Sequence, residues 1–243
     1  MTPIVLVHGW GMNARVFNEL SDDLSARAEV CALPLPGYDG LPTCGADLDA
    51  IALALSRRAP RPCVVAGWSL GGLAALEWAR AAPEQVERLV LLGATPSFVR
   101  RDDWADAIEA PVLQEFARAL ERDPPGTLRR FLTLQVEGEA APAETLRKLR
   151  ACSKEGEFPA RATLREGLEL LLKSDIRNRL PAVRQKTLVV HGARDALVPL
   201  AAAEFLAGTL PRAQLAVIGG AGHPFFVSNA QTTARLIFEF CGE

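Results

Sequence analysis

A serine hydroxyl attacks a carbonyl only when a neighbouring base can take its proton. In Gly67-Trp68-Ser69-Leu70-Gly71-Gly72, Ser69 stands among glycines, where a backbone can turn sharply and pack closely. Pro62 to Ala66 reads as a strand, and Leu70 to Ala81 has the Ala, Leu and Glu content of a helix, so Ser69 is expected on a strand-to-helix turn. The Leu70 N–H would then open the helix without an intrahelical acceptor, and could face an oxyanion with the helix dipole behind it. The chemistry this suits is acyl transfer through a serine ester.

A base is sought among three histidines. His8 and His191 both end apolar strands, whereas His223 lies in Gly219-Gly220-Ala221-Gly222-His223-Pro224, a loop able to reach over a sheet edge. An imidazole in this role needs a carboxylate to fix its tautomer and stabilise the imidazolium. Asp195, in His191-Gly192-Ala193-Arg194-Asp195 after an apolar strand, fits best; Asp175 is an upstream rival within a helical stretch. Ser69, Asp195 and His223 are therefore the candidate catalytic residues. His8-Gly9-Trp10-Gly11 follows the first strand, so the Trp10 N–H is the candidate second oxyanion donor, its indole a pocket wall, and His8 a buried residue that shapes the loop.

These residues need a scaffold. Apolar runs at Ile4 to Val7, Val30 to Leu33, Cys63 to Ala66, Leu89 to Leu92, Leu188 to Val190 and Leu215 to Ile218 read as buried strands. Helical patterns alternate with them at Ala14 to Ala26, Ala46 to Arg57, Leu70 to Ala81, Pro199 to Gly208 and Asn229 to Phe240. The alternation implies an α/β fold with a mostly parallel sheet and helices on both faces. It breaks at residues 97–180, which carry helical patterns at Ala105 to Arg122, Thr127 to Val136, Ala143 to Ser153 and Ala162 to Lys173, separated by Pro124-Pro125, Gly138 and Phe158-Pro159. The division expected is a core of 1–96 and 181–243 and a helical insertion that either covers the ligand crevice as a lid or merely enlarges the domain.

Composition narrows the function classes. Hydrophobic residues make up 49% of the 243 positions and the formal net charge is −2, which suits a globular enzyme and removes the basic field of a nucleic-acid binder. There is no signal-like start and no run of membrane-spanning length, so a cytoplasmic monomer without membrane contact is expected. The five cysteines lack metal-type spacing and read as reduced, packed thiols. The proposed chemistry requires no metal or organic cofactor.

Four separated motifs, His8-Gly9-Trp10-Gly11, Gly67 to Gly72, Asp195 with Leu197-Val198-Pro199, and His223 with Pro224-Phe225, make the sequence resemble the α/β-hydrolase superfamily over nearly its whole length. It departs in leaving no room for an opening hairpin before the strand that carries His8. His8 to Asn13, Gly67 to Gly72 and Arg130-Phe131-Leu132-Thr133-Leu134-Gln135 together resemble, more narrowly, the pimeloyl-[acyl-carrier protein] methyl ester esterases of biotin synthesis. That resemblance implies demethylation of a carrier-bound pimeloyl ester, with Phe131 and Gln135 lining the substrate site and Trp10 and Leu70 at the oxyanion. It also implies docking of acidic acyl carrier protein on the insertion, where Arg130 and Arg147 match family arginines while a third basic position falls near Gly126. Arg147, Lys148, Arg150 and Lys154 form an acid-free run, of which Arg147, Arg150 and Lys154 share a helical face, read as a docking surface or as an ordinary solvated face. A broad-specificity carboxylesterase, a lactone or carbon–carbon hydrolase, and a ligand-binding protein on a hydrolase scaffold are the alternatives.

Overall fold

The computed structural model describes residues 1–152 and 159–242. Strands β1 (Ile4–Val7), β2 (Val30–Leu33), β3 (Cys63–Trp68), β4 (Val86–Leu92), β5 (Lys186–Gly192) and β6 (Ala213–Ile218) form one sheet in the order β2-β1-β3-β4-β5-β6. Every neighbouring pair runs parallel. All of β1 is buried: Ile4 and Leu6 pack with Phe17, Leu20, Ile237 and Phe240, and Val5 and Val7 with Leu55, Leu73 and Leu76 on the other face. A strand covered on both sides needs this uninterrupted apolar run.

The helices that provide the cover are α1 (Asn18–Ser25), α2 (Leu48–Arg58) and α3 (Leu70–Ala81). Here α3 spans the residues its composition predicts, whereas the run from Ala14 splits into a 3-10 turn, Ala14–Phe17, and α1. The Asn13 side chain accepts the Arg15 N–H and fixes that break. β4 to β6 begin earlier than their apolar cores because Arg88, Lys186, Thr187 and Gln214, which carry no apolar signal, still pair on the ladder.

Between β4 and β5 the chain forms α4 (Ala110–Arg122), α5 (Pro124–Gln135), α6 (Pro142–Cys152) and α7 (Arg161–Lys173). The predicted helix from Ala105 starts five residues later, because isolated bridges pair Val99 with Ile108 and Arg101 with Trp104. The break between α4 and α5 falls at Pro124-Pro125 as expected, but the prolines belong to α5 and open it, where no intrahelical N–H is required, and Asp123 caps the turn by accepting the Gly126 N–H at 2.9 Å. Lys154, with Ser153 and Phe158, lies outside the described residues. The two stems of the insertion are clasped together: Asp175 pairs with Arg177 at 2.7 Å and with Arg101 at 3.3 Å, and Arg177 also holds Asp103 at 2.9 Å.

After β5 come α8 (Leu200–Thr209), β6, a short α9 (Phe225–Ser228) and α10 (Ala230–Gly242), so the predicted last helix is preceded by an extra turn. Because β1 lies between β2 and β3, the chain leaves it in opposite directions, and a crevice opens past the carboxyl ends of β1 and β3. Ser69 and the His8 to Gly11 loop both stand there.

Candidate active site

Ser69 joins β3 to α3 with φ 56° and ψ −119°, a conformation costly for a non-glycine residue and held only by its surroundings. Its N–H donates to the Leu92 carbonyl at 3.0 Å. The flanking glycines make the turn possible: a Cβ on Gly67 would lie 2.6 Å from the Gly71 carbonyl carbon, and one on Gly71 would lie 2.7 Å from that of Val7. Leu70 begins α3, so its N–H has no carbonyl one turn earlier in the helix.

The loop after β1 meets this turn directly, since a Cβ on Gly9 would sit 3.1 Å from that of Ser69. His8 shapes that loop. Its Nδ1–H donates to the Gly9 carbonyl at 2.9 Å while Nε2 accepts the Leu35 N–H at 3.1 Å, which fixes one neutral tautomer. Burial, only partly offset by the bond to Gly9, drives its pKa down from 6.5 to about 4. Tyr38, the one tyrosine of the chain, accepts the Gly11 N–H at 3.0 Å and packs edge-on against His8. Sequence reasoning missed Tyr38, which lies in an irregular segment without a motif.

His223 Nδ1 is 2.7 Å from Asp195 Oδ2, and both residues are buried. With Nδ1–H donated to the carboxylate, Nε2 is the nitrogen left to act as a base. Asp195 Oδ1 accepts the N–H groups of Leu197 and Val198 at 2.9 and 2.8 Å, so every oxygen of the acid is engaged. His191 stands behind it; its Nε2–H donates to the Val198 carbonyl at 2.8 Å, and burial lowers its pKa. The Trp68 indole donates to the His223 carbonyl at 3.2 Å, and a Cβ on Gly93, next to Leu92, would lie 3.3 Å from His223 Nδ1. Ser69 and His223 therefore flank the same end of β4. Asp175, engaged with Arg101 and Arg177, is not part of this group.

Helices of the insertion close over the crevice. Trp10 donates its indole N–H to the Leu164 carbonyl of α7 at 2.8 Å and meets Phe131 of α5 edge-on, ring centroids 4.7 Å apart. Gly167 leaves room for that indole, because a Cβ there would lie 2.5 Å from its ring. Gln135, one turn beyond Phe131, is 1% exposed and neither amide atom has a hydrogen-bond partner among the described residues. Such a group costs free energy unless something polar reaches it. Ser69, Asp195, His223, Trp10, Leu70, Phe131 and Gln135 are all buried.

The predicted docking residues lie apart from them, on the outside. Arg130 is exposed with its guanidinium 5.9 Å from the Phe116 ring, and Arg147 and Arg150 are exposed on α6. Neither of these two makes an ion pair among the described residues. Lys148, in the same basic run but off the face shared by Arg147 and Arg150, is only partly exposed and pairs with Glu19 of α1 at 2.8 Å, so it anchors α6 to the core.

Residues 4–236 match the model of the alpha/beta hydrolase family. The chain is 43% identical over 239 residues to a pimeloyl-[acyl-carrier protein] methyl ester esterase of Aromatoleum aromaticum, covering 96% of each chain. It is 41% identical to the protein of the same name in Nitrosomonas europaea, covering 93% of this chain and 90% of that one. Among solved structures, an esterase from Exiguobacterium antarcticum superposes with a TM-score of 0.90 at 20% identity, over 100% of this chain and 92% of the other.

Proposed function

The chain belongs to the alpha/beta hydrolase family, among its pimeloyl-[acyl-carrier protein] methyl ester esterases, and from that premise we propose that Ser69, His223 and Asp195 cleave the methyl ester of a carrier-bound pimeloyl chain for biotin synthesis. The observation that carries the catalytic reading is the 2.7 Å contact of a buried His223 with Asp195 beside a serine held at φ 56°. His223 Nε2 takes the Ser69 proton as the serine oxygen attacks the ester carbonyl. The tetrahedral oxyanion is held by the Trp10 and Leu70 N–H groups, each worth about a hundredfold to a thousandfold in turnover. The proton passes from His223 to the departing methoxide, methanol leaves, and an acyl-enzyme remains. Water, deprotonated by the same nitrogen, then releases the free carboxylate and restores Ser69.

The insertion serves as a lid over this site. Phe131 supplies an apolar wall for the chain, and the unpartnered Gln135 amide is a polar contact for the substrate. Arg130, Arg147 and Arg150 present positive charge to an acidic carrier protein. No helix among the described residues is long and apolar enough to cross a membrane.

Purified protein should demethylate the pimeloyl ester on carrier protein with a kcat/KM at least about tenfold above that for a short soluble methyl ester, the order expected when remote binding energy assists the reaction. Ser69→Ala should lose both activities and its labelling by a fluorophosphonate. Equal rates on the two esters would favour a broad-specificity carboxylesterase; absence of labelling in the native protein would remove the serine mechanism.

A further inference from the structure

Glu139 lies in the turn between α5 and α6, is nearly buried, and accepts the Gly222 N–H at 2.8 Å through Oε1. Gly222 immediately precedes His223. Its N–H belongs to the same peptide unit as the Ala221 carbonyl, and that carbonyl accepts the Arg194 N–H at 2.9 Å. One peptide plane is thus pinned from both sides, by the loop that carries Asp195 and by the insertion. Two residues along from Ala221, the carbonyl of His223 itself is held by the Trp68 indole at 3.2 Å.

The turn that carries Glu139 is built against these loops. A Cβ on Gly222 would lie 2.8 Å from the Glu137 carbonyl oxygen, and a Cβ on Gly138, at φ 85°, would lie 2.8 Å from the Arg194 Cβ. Glycine at both positions lets the backbones touch. Of the contacts made there, only the Glu139 carboxylate supplies a charge-assisted hydrogen bond from the insertion to the histidine loop among the described residues.

We propose that Glu139 is a positioning residue that couples the seating of the lid to the placement of His223. It touches neither substrate nor the reacting atoms; it acts by holding the Ala221–Gly222 peptide, one residue before the base. On the opposite side of the crevice, the Trp10 indole is tied to Leu164 of α7. A seated lid therefore fixes the histidine loop and the oxyanion loop together, and a lifted one releases both. This inference rests on the catalytic reading of Ser69, His223 and Asp195.

The test is steady-state kinetics on a short p-nitrophenyl ester, which needs no carrier protein, for Glu139→Ala and Glu139→Gln, with Ser69→Ala measured in parallel. Rates of the parent and the Glu139 variants are expressed per site labelled to completion by fluorophosphonate, so that misfolded molecules drop out of the comparison, and the rate of Ser69→Ala is expressed per mole of protein. Glu139→Ala should lower kcat about tenfold with KM within about twofold, the scale of loss expected when a reacting group is displaced by a fraction of an ångström. Glu139→Gln, whose amide oxygen can accept the same N–H, should recover most of that loss. A kcat for Glu139→Ala within twofold of the parent, a change confined to KM, or a Gln variant as impaired as the Ala variant each overturns the proposal. Should Ser69→Ala keep its activity, the catalytic reading itself fails, a result separate from any of these.

Discussion

The strand-end loops and the inserted helices face each other across the crevice and are specified in different ways. At the strand ends, position comes from backbone: Ser69 at φ 56°, Gly67 and Gly71 with no space for a Cβ, and an Asp195 whose two oxygens are both engaged. In the insertion, position comes from amphipathic helices, and what faces outward is side chains, Arg130, Arg147 and Arg150 among them. On the proposed mechanism, Gly67, Gly71 and the Asp195 contacts constrain the reaction, and Phe131, Gln135 and the arginines concern what is brought to it. Substitutions at the strand ends should therefore affect every ester alike, and substitutions on the outer face of the insertion should depend on the substrate.

The strongest test of that division is Asp195→Asn, which should lower kcat by about 10⁴ on soluble and carrier-bound esters equally, because the imidazole loses the partner that sets its tautomer. A loss restricted to one substrate would erase the distinction. Next, Gly71→Ala forces a Cβ to within 2.7 Å of the Val7 carbonyl carbon, so the serine turn and the β1 end must move apart. A destabilisation of about 4 kcal/mol or more is expected, read from denaturant unfolding. A variant with parental stability would mean that the turn is not backbone-limited.

His8 sharpens the same side through pH. Its pKa of about 4 in the folded chain lies below the 6.5 of an exposed imidazole, so the unfolded chain binds the proton more readily. The stability this neutral histidine contributes is complete above pH 6.5 and is lost as pH falls from there to about 4, a total of about 3 kcal/mol. His8→Gln should lack this slope, so its stability deficit relative to the parent should shrink by that amount between pH 7 and pH 4. A constant deficit would contradict the assignment.

The smallest effect belongs to the insertion. Reversing Arg130, Arg147 and Arg150 to Glu should cut kcat/KM on the carrier-bound ester about tenfold at low salt and leave a short soluble ester within about twofold. An equal loss on both would remove the docking surface from the comparison.

Legibility in the sequence follows the same line. Elements whose signal is local composition were readable: β1, β2 and α3 agree with the structure residue for residue, since each is an unbroken apolar or helix-forming run. So were Ser69 and the Asp195–His223 contact, because strained turns and loop chemistry leave glycines at fixed offsets. Strand starts at Val86 and Lys186 were not, since ladder hydrogen bonds form whatever side chain hangs from the backbone. Nor was the start of α5, where proline is both a helix breaker and a good first residue. Tyr38, Glu139 and Gly167 act through partners 27, 83 and 157 residues away in the chain, and no window of sequence contains such a pair.

The order of strands has a consequence for biosynthesis. Once β1 to β4 have left a ribosome, the chain already holds Ser69 but neither Asp195 nor His223, and residues 93–185 must be made before β5 can dock on β4. At the usual ~5–20 residues per second of translation, this interval lasts about 5 to 20 s. Throughout it the apolar Val90, Leu91 and Leu92 form an unpaired parallel edge, the kind of surface on which nascent chains adhere to one another. The nascent chain is thus without His223, its proposed base, while that edge is open, which makes β4 a segment where a chaperone would be of use.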